Sequence, residues 1–301
     1  MRTSALRAVA ALVLLVAVAP AHAADRAAAQ VPAGPEPAVL RVMTFNIHAG
    51  HGDVGRVAGV ITAADPDVVA LQEVAVHWNE ESGFADQATE LAEATGMEVR
   101  FGPIYRLPGA TPSDPEREFG VAILSRLPVL GSENRLITRL STQEEGPPRP
   151  MPGFLLATVD VGGHPVEVFS THLDYRPDPA VRHRQVMDML AEVEAASHPV
   201  LLMGDMNAQP HAPELQPLFA ALTDTWGLGL EDRGTARADR PADPDAAGEP
   251  SPGYTFPADA PARRIDYVLM SAGFRVLRTR VVSTDASDHR PVVVELALTP
   301  G

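Results

Sequence analysis

The 301-residue chain contains no cysteine, and every one of its basic residues is an arginine. The absence of cysteine excludes a disulfide framework and thiol chemistry, so a hydrophobic core alone must hold the fold. The absence of lysine is a compositional bias without mechanistic content. Aromatic residues make up only 5%, with two tryptophans, Trp78 and Trp226. No aromatic cluster shows in the sequence, so an exposed aromatic hairpin of the kind that enters membranes is not expected. Basic residues are also in short supply, 24 against 39 acidic ones, for a net charge of −15. That balance lacks the general positive field on which non-specific nucleic-acid binding depends, although a local arginine-lined groove stays open.

Long hydrophobic runs are missing as well. The apolar stretch from Ala8 to Ala19 falls short of the roughly 20 residues that span a bilayer. Arg2 and Arg7 precede it, and Pro20 and Ala21-His22-Ala23-Ala24 follow. Positive flank, short apolar run and A-x-A site together read as a secretory signal peptide, residues 1–23, cleaved near Ala23. Its removal takes away two arginines and no acid, leaving a net charge of about −17. The mature protein is expected to be extracellular, to have no transmembrane segment and to be a monomer. Residues 24–38 read as a flexible Ala/Pro leader. The remainder, 39–299, is ample for one large domain, with no second domain and no short-period repeat.

Within that domain, apolar β-branched runs alternate with helical patterns. Residues from Val54 to about Asp65-Pro66 predict an amphipathic helix, followed by a strand through VVALQEV. DQATELAEATGM predicts a second helix ending at Gly96, and FGVAILSRLPV a strand. FLLATVDVGGHPVEVFSTHL predicts two strands about Gly162-Gly163, PAVRHRQVMDMLAEVEAAS the longest helix, and HPVLLMGDMN a further strand. The pattern predicts a layered α/β sandwich. Residues 107–118 and 141–153 read as Pro-rich loops at its rim, and 228–253 as an acidic, disordered insertion.

The polar chemistry collects at the ends of apolar runs: FNIH (45–48), LQEV (71–74), STHLD (170–174) and GDMN (204–207). RRIDYVL (263–269) and SDHRP (287–291) complete the set. A carboxylate or imidazole at a strand tip is held on a rigid scaffold, and acidic groups that converge need a cation. Glu73 follows too apolar a run for an accidental exposed charge, and a hard cation such as Mg²⁺ takes carboxylate oxygen. Asp205 and Asn207 sit two apart and would share a strand face, although Gly-Asp-x-Asn is equally the pattern of an Asx turn. Arg182 and Gln185 share a helix face, which points to a structural tie.

Taken in order, these segments resemble the endonuclease/exonuclease/phosphatase superfamily, the metal-dependent phosphoesterases related to deoxyribonuclease I, abasic-site endonucleases, sphingomyelinases and inositol-polyphosphate phosphatases. The resemblance runs from about Leu40 to Leu298. It implies a four-layer α/β/β/α sandwich, two mixed sheets face to face with helices outside. It further implies Glu73, Asn46 and Asp288 at a Mg²⁺ or Mn²⁺ ion. Asp205 would be general base or orienting carboxylate for water, Asn207 a phosphate ligand, and Asp266 the residue that orients His289. His172 would contact the scissile phosphate. Arg264 and Arg182 are candidates for substrate phosphate, with Arg263 as the alternative to Arg264, since one of the two would reach it while the other pairs locally. The absence of cysteine and the spread of the histidines favour an oxygen-rich ligand set over zinc.

The expected activity is hydrolysis of a phosphodiester or phosphomonoester by in-line attack of water. The substrate is a small molecule, a lipid headgroup or a nucleic acid. A secreted nuclease on the same site is the alternative, followed by a sphingomyelinase-like enzyme or a non-catalytic binding protein.

Overall fold

A computed structural model describes residues 38–49, 53–228 and 252–299. The expected signal peptide, nearly all of the leader and residues 229–251 of the acidic insertion lie outside the described residues.

Two β–α–β units organise the chain. In the first, β1 (Val39–Asn46) and β2 (Val68–Val76) pair in parallel across α1 (Val54–Ala64). In the second, β7 (Pro165–His172) and β8 (Val200–Asp205) pair in parallel across α3 (Ala180–Glu194). A parallel pair needs such a crossover, which places each helix on a sheet face. Antiparallel neighbours extend both units. The first sheet adds β3 (Glu98–Leu107), β4 (Arg117–Ser125), β11 (Phe274–Val281) and β12 (Val292–Leu298), in the order β11-β12-β1-β2-β4-β3. The second adds β5 (Val129–Arg139), β6 (Arg149–Asp160), β9 (Thr223–Asp224) and β10 (Asp266–Met270), in the order β5-β6-β7-β8-β10-β9.

Alternation of side chains along each strand then builds three cores. Val42, Val68, Ala70 and Val294 of the first sheet meet Val166, Val168, Leu201 and Val268 of the second in an inter-sheet core. The opposite face of the first sheet packs Met43, Phe45 and Leu71 against Val57 and Ile61 of α1 and Leu91 of α2 (Gln87–Thr95). The second sheet packs Phe154, Phe169 and Leu202 against Val186, Met189 and Leu190 of α3 and Leu218 of α4 (Gln216–Ala221). Each fully buried aliphatic or aromatic side chain contributes about 1.5–3 kcal/mol. The result is the α/β/β/α sandwich that the resemblance implies.

Local signals set the helix ends. Asp53 and Asp86 cap α1 and α2 by accepting from the backbone N–H groups of Arg56 and Thr89. Both helices close on a left-handed residue, Asp65 before Pro66 and Gly96.

Three sequence expectations change. FGVAILSRLPV is two strands, since the chain leaves β4 at Ser125, turns through Leu127-Pro128 and enters the other sheet as β5. Ser125 stabilises that crossing by donating its hydroxyl to Leu127 O at 2.8 Å and accepting the Leu127 N–H at 3.0 Å. Residues 149–153, read as loop, begin β6. Strands β3 and β11 were absent from the pattern because both lie at a sheet edge and interleave charge with apolar residues.

At Gly204 the backbone itself is the constraint: a Cβ there would stand 2.1 Å from Thr171 O on the adjacent strand. The glycine preceding Asp205 is what lets β7 and β8 close at this end. Gly204→Ala should lower stability by about 2 kcal/mol or more, read as a reduced urea midpoint at unchanged slope; a midpoint equal to wild type contradicts the close approach.

Candidate active site

On the inter-sheet face each central strand carries aliphatic side chains until its last turns, where the same column becomes polar. β1 runs Leu40, Val42, Thr44, Asn46; β7 runs Val166, Val168, Ser170, His172; β8 runs Leu201, Met203, Asp205. All of the changes fall at one end of the sandwich. Behind the site a buried polar chain joins the two sheets. Thr44 Oγ1 donates to Gln72 Oε1 at 3.3 Å, Gln72 Nε2 to Ser170 Oγ at 3.4 Å, and Ser170 Oγ to Leu71 O at 3.2 Å.

Register does the rest. Asp205 lies directly opposite His172 on β7 and Asp266 on β10, so the three form one row across the second sheet. Asp205 Oδ2 is the hub: Asn46 Nδ2 from the first sheet donates to it at 3.1 Å, His172 Nε2 stands 3.6 Å away and His289 Nε2 3.7 Å away. The two imidazole separations exceed direct hydrogen bonds. Asp205 Oδ1 accepts the N–H of Asn207 at 2.8 Å, so the Asx turn is present as well. Asn207 is therefore left-handed, with φ of 49°, rather than a continuation of the strand. It donates its amide to His172 Nε2 and to Leu173 O, both at 3.0 Å, which holds the imidazole through its acceptor nitrogen.

His289 enters from the loop before β12 and meets Asp266 Oδ2 through Nδ1 at 3.0 Å. Ser287 fixes that loop, its hydroxyl donating to Asn46 O at 2.8 Å and accepting the His289 N–H at 3.2 Å.

Glu73 does not end a strand. Strand β2 continues to Val76, and Glu73 sits in a bulge between Leu71 and Val74 with φ of 56°. The extra residue breaks the alternation and turns a carboxylate out of an otherwise buried strand, a recurrent use of bulges beside functional sites. Asn46 Nδ2 reaches Glu73 Oε1 at 3.0 Å, while its Oδ1 accepts the His48 N–H at 3.0 Å. In this orientation Asn46 keeps Glu73 and Asp205 together through its nitrogen; cation ligation through Oδ1 would need the amide reversed. Asp288 is half-exposed, with Oδ1 3.3 Å from His48 Nδ1.

The structure does not bring Arg182 or Arg264 to this cluster. Arg182 is buried, pairs with Glu214 at 2.8 Å and donates to the carbonyls of Asp174 and Arg176. With Gln185 accepting the Asp174 N–H at 2.9 Å, it is the structural tie between α3 and the loop after His172. Arg264 pairs with Asp224 at 2.7 Å and lies over the Tyr267 ring. Both guanidinium groups are thus engaged within the fold.

Several contributors escaped sequence reasoning. Arg139, buried in β5, donates to three carbonyls, Pro152, Gly153 and His172, and so clamps the backbone of His172. Burial lowers its pKa to about 10, which leaves it charged at neutral pH. The ring of Phe256 lies 4.7 Å from that of His289. Trp78, Tyr105 and Phe119, distant in sequence, do form an aromatic cluster, with Trp78 5.3 Å from Phe119 and 6.2 Å from Tyr105. The β3–β4 turn beyond them, residues 108–116, carries no aromatic residue. None of these contacts has a local sequence signal.

The electrostatics follow from crowding. Burial, followed by the Asp266 charge, raises the pKa of Asp205, opposed by His172, His289 and the Asn207 N–H bond. Burial alone would lower that of His289, but Asp266, by charge and hydrogen bond, and then Asp205 and Asp288 push it up to about 10. A carboxyl of raised pKa facing a charged imidazole can accept a proton from water on one side and steady an anion on the other.

A metal fits this donor set. Among the described residues no arginine pairs with Glu73, Asp205, Asp266 or Asp288, and the basic side chains beside them are imidazoles. Asp266 Oδ1 is buried with no hydrogen-bond partner. Ligand atoms of Asp205, Asp266 and His289 lie within 4.8 Å of one another, although the His289–Asp266 hydrogen bond already occupies part of that trio. Half-exposed Glu73 and Asp288 are the carboxylates open to a hydrated ion, and oxygen ligands suit Mg²⁺ or Mn²⁺. A cavity of about 500 Å³ between α1 and residues 280–286 shares no residue with the cluster.

Two facing mixed sheets with acids and imidazoles gathered at one rim define the sandwich of the phosphoesterases. The chain belongs to the Endonuclease/Exonuclease/phosphatase family, which it matches over residues 43–289. A family member from Beutenbergia cavernae DSM 12333 is 30% identical, with a TM-score of 0.66 over 86% of this chain and 72% of that one. A mannosyl-6-phosphatase of Bacteroides thetaiotaomicron VPI-5482 is 18% identical with a TM-score of 0.61, over 86% of this chain and 100% of that one. A humanized D. rerio TDP2 is 17% identical with a TM-score of 0.58, over 86% and 99%. No curated protein matches the sequence.

The charge on His289 makes a prediction for the metal-free protein. Its raised pKa stabilises the fold fully below about pH 6.5, the unfolded value, and that contribution fades as pH rises towards 10. Melting temperature in EDTA should therefore fall between pH 7 and 10, and less steeply in His289→Asn; identical slopes in the two proteins would refute the linkage.

Proposed function

We propose that this protein is a secreted, divalent-metal-dependent phosphoesterase that hydrolyses its ester by direct in-line attack of water. The observation that carries the proposal is the in-register row His172–Asp205–Asp266, closed by His289 on one side and by Asn46 from the opposite sheet. Glu73 and Asp288, with Asn46 alongside, would hold a divalent cation, which would supply polarisation of the phosphoryl oxygen and stabilisation of the leaving oxyanion. Asp205 orients the attacking water and takes its proton, a task its raised pKa favours. His289, kept charged by Asp266, faces the phosphoryl oxygens as negative charge develops on them. His172, held by Asn207 and by the Arg139 clamp on its carbonyl, lines the other side. No covalent intermediate is required. The N-terminal segment, with its charged flank, apolar run and A-x-A site, supports export.

Purified protein should hydrolyse bis-p-nitrophenyl phosphate or p-nitrophenyl phosphate with Mg²⁺ or Mn²⁺, lose activity in EDTA and regain it when the ion returns. Activity that resists EDTA would remove the metal from the proposal. Glu73→Ala, Asp205→Ala and His289→Ala should each reduce kcat by at least about 10²-fold in a protein that remains folded by circular dichroism. Turnover at the wild-type rate in any of the three would discard that residue's role. Plasmid nicking, RNA and sphingomyelin in the same screen separate nuclease and lipid readings from small-molecule hydrolysis.

A further inference from the structure

Arg263 differs from the two arginines tied down inside the fold. It is exposed, and no carboxylate among the described residues pairs with it, in a chain where acids outnumber arginines. Its guanidinium carbon lies 4.7 Å from the centre of the Phe256 ring, and the same ring is 4.7 Å from that of His289. The charge is thus held two ring contacts away from the imidazole at the reacting centre. Its backbone is also fixed. Phe256 and Arg263 exchange N–H···O bonds of 3.0 and 2.9 Å, and Ala258 N and Arg290 N bind Asp288 O and Thr255 O, at 2.7 and 2.8 Å. This bridge therefore docks on the same segment that carries Asp288 and His289. A guanidinium stacked on an aromatic face keeps its planar fork available for an oxyanion and loses little freedom on binding one.

Resting on the phosphoesterase reading, we propose that Arg263, positioned by Phe256, binds a second phosphate of the substrate, so that the natural ester carries a non-scissile phosphate beside the one hydrolysed. Arg263 is a specificity residue here: it touches the substrate away from the reacting atoms. The site carries several carboxylates and would disfavour a polyanion without such a charge, and one side of His289 supplies it.

The test is discrimination between ligands that differ by one phosphate. Dissociation constants are measured by calorimetry with Mg²⁺ for thymidine 5′-monophosphate against thymidine 3′,5′-bisphosphate. Glucose 6-phosphate against glucose 1,6-bisphosphate forms the second arm, and the arm with the larger preference identifies the nucleoside or sugar scaffold. Wild type should prefer the bisphosphate about tenfold in at least one pair. Arg263→Ala should bring that ratio to about one, Arg263→Lys should restore part of it, and Arg275→Ala, which removes an exposed arginine on β11, should leave it intact. A wild-type ratio near one in both pairs, or a preference that survives Arg263→Ala, overturns the inference. Bis-p-nitrophenyl phosphate and p-nitrophenyl phosphate turnover, assayed beside it, shows separately whether the phosphoesterase reading holds; if wild type hydrolyses neither ester and binds none of the four ligands, both fall together.

Discussion

Two buried carboxylates held side by side by strand pairing are the constraint around which the site is arranged. Asp205 and Asp266 face one another across β8 and β10 because the backbone register leaves them no alternative. Both are almost wholly removed from water. Ionising both in such a place is strongly unfavourable unless opposite charge and hydrogen bonds are supplied. The fold supplies them from three directions. His289 arrives charged from the loop before β12, Asn46 donates from the other sheet, and Asn207 turns its backbone N–H back onto Asp205. What would be a liability in a purely structural core leaves Asp205 with a raised proton affinity, mainly through burial and then through the Asp266 charge.

That arrangement lasts only if its supports are rigid. The inter-sheet face is aliphatic up to Thr44 and Ser170, and the buried Thr44–Gln72–Ser170 chain marks the boundary between packing and chemistry. Arg139 performs a similar service from beneath, gathering three carbonyls so that the backbone of His172 is held by a charge-assisted network rather than by strand pairing alone. Arg182 anchors the loop that follows. Two arginines are thus spent on backbone carbonyls around a single histidine.

Much of this was legible in the sequence, for reasons tied to position in the sheet. β1, β2, β7, β8, β10 and β12 lie inside their sheets, are covered on both faces, and read as nearly continuous aliphatic runs; β1, β7 and β8 stop at a polar residue, while β10 and β12 begin at or just after one. The residue types at those stops were readable too. Edge strands β3 and β11 were not, since Arg100, Arg106, Arg275 and Arg278 face outward and dilute the pattern. The bulge at Glu73 was invisible because two-against-one pairing depends on the partner strand β4, which no local window contains. Arg182 and Arg264 could be read as phosphate ligands only while Glu214 and Asp224 were not known to stand opposite them. Arg139 and Phe256 act through partners distant in sequence, so their importance appears only once the chain is folded.

The hydrogen bond from Asn46 to Asp205 has a consequence for how the protein acquires activity. Its donor belongs to one sheet and its acceptor to the other, in different β–α–β units and 159 residues apart in the chain. Either unit could form its own strands and helix and still present only half of the reacting groups. The candidate site is a property of the seam, so its assembly during refolding would report the docking of two half-sandwiches, and an intermediate with a single ordered sheet would lack part of it.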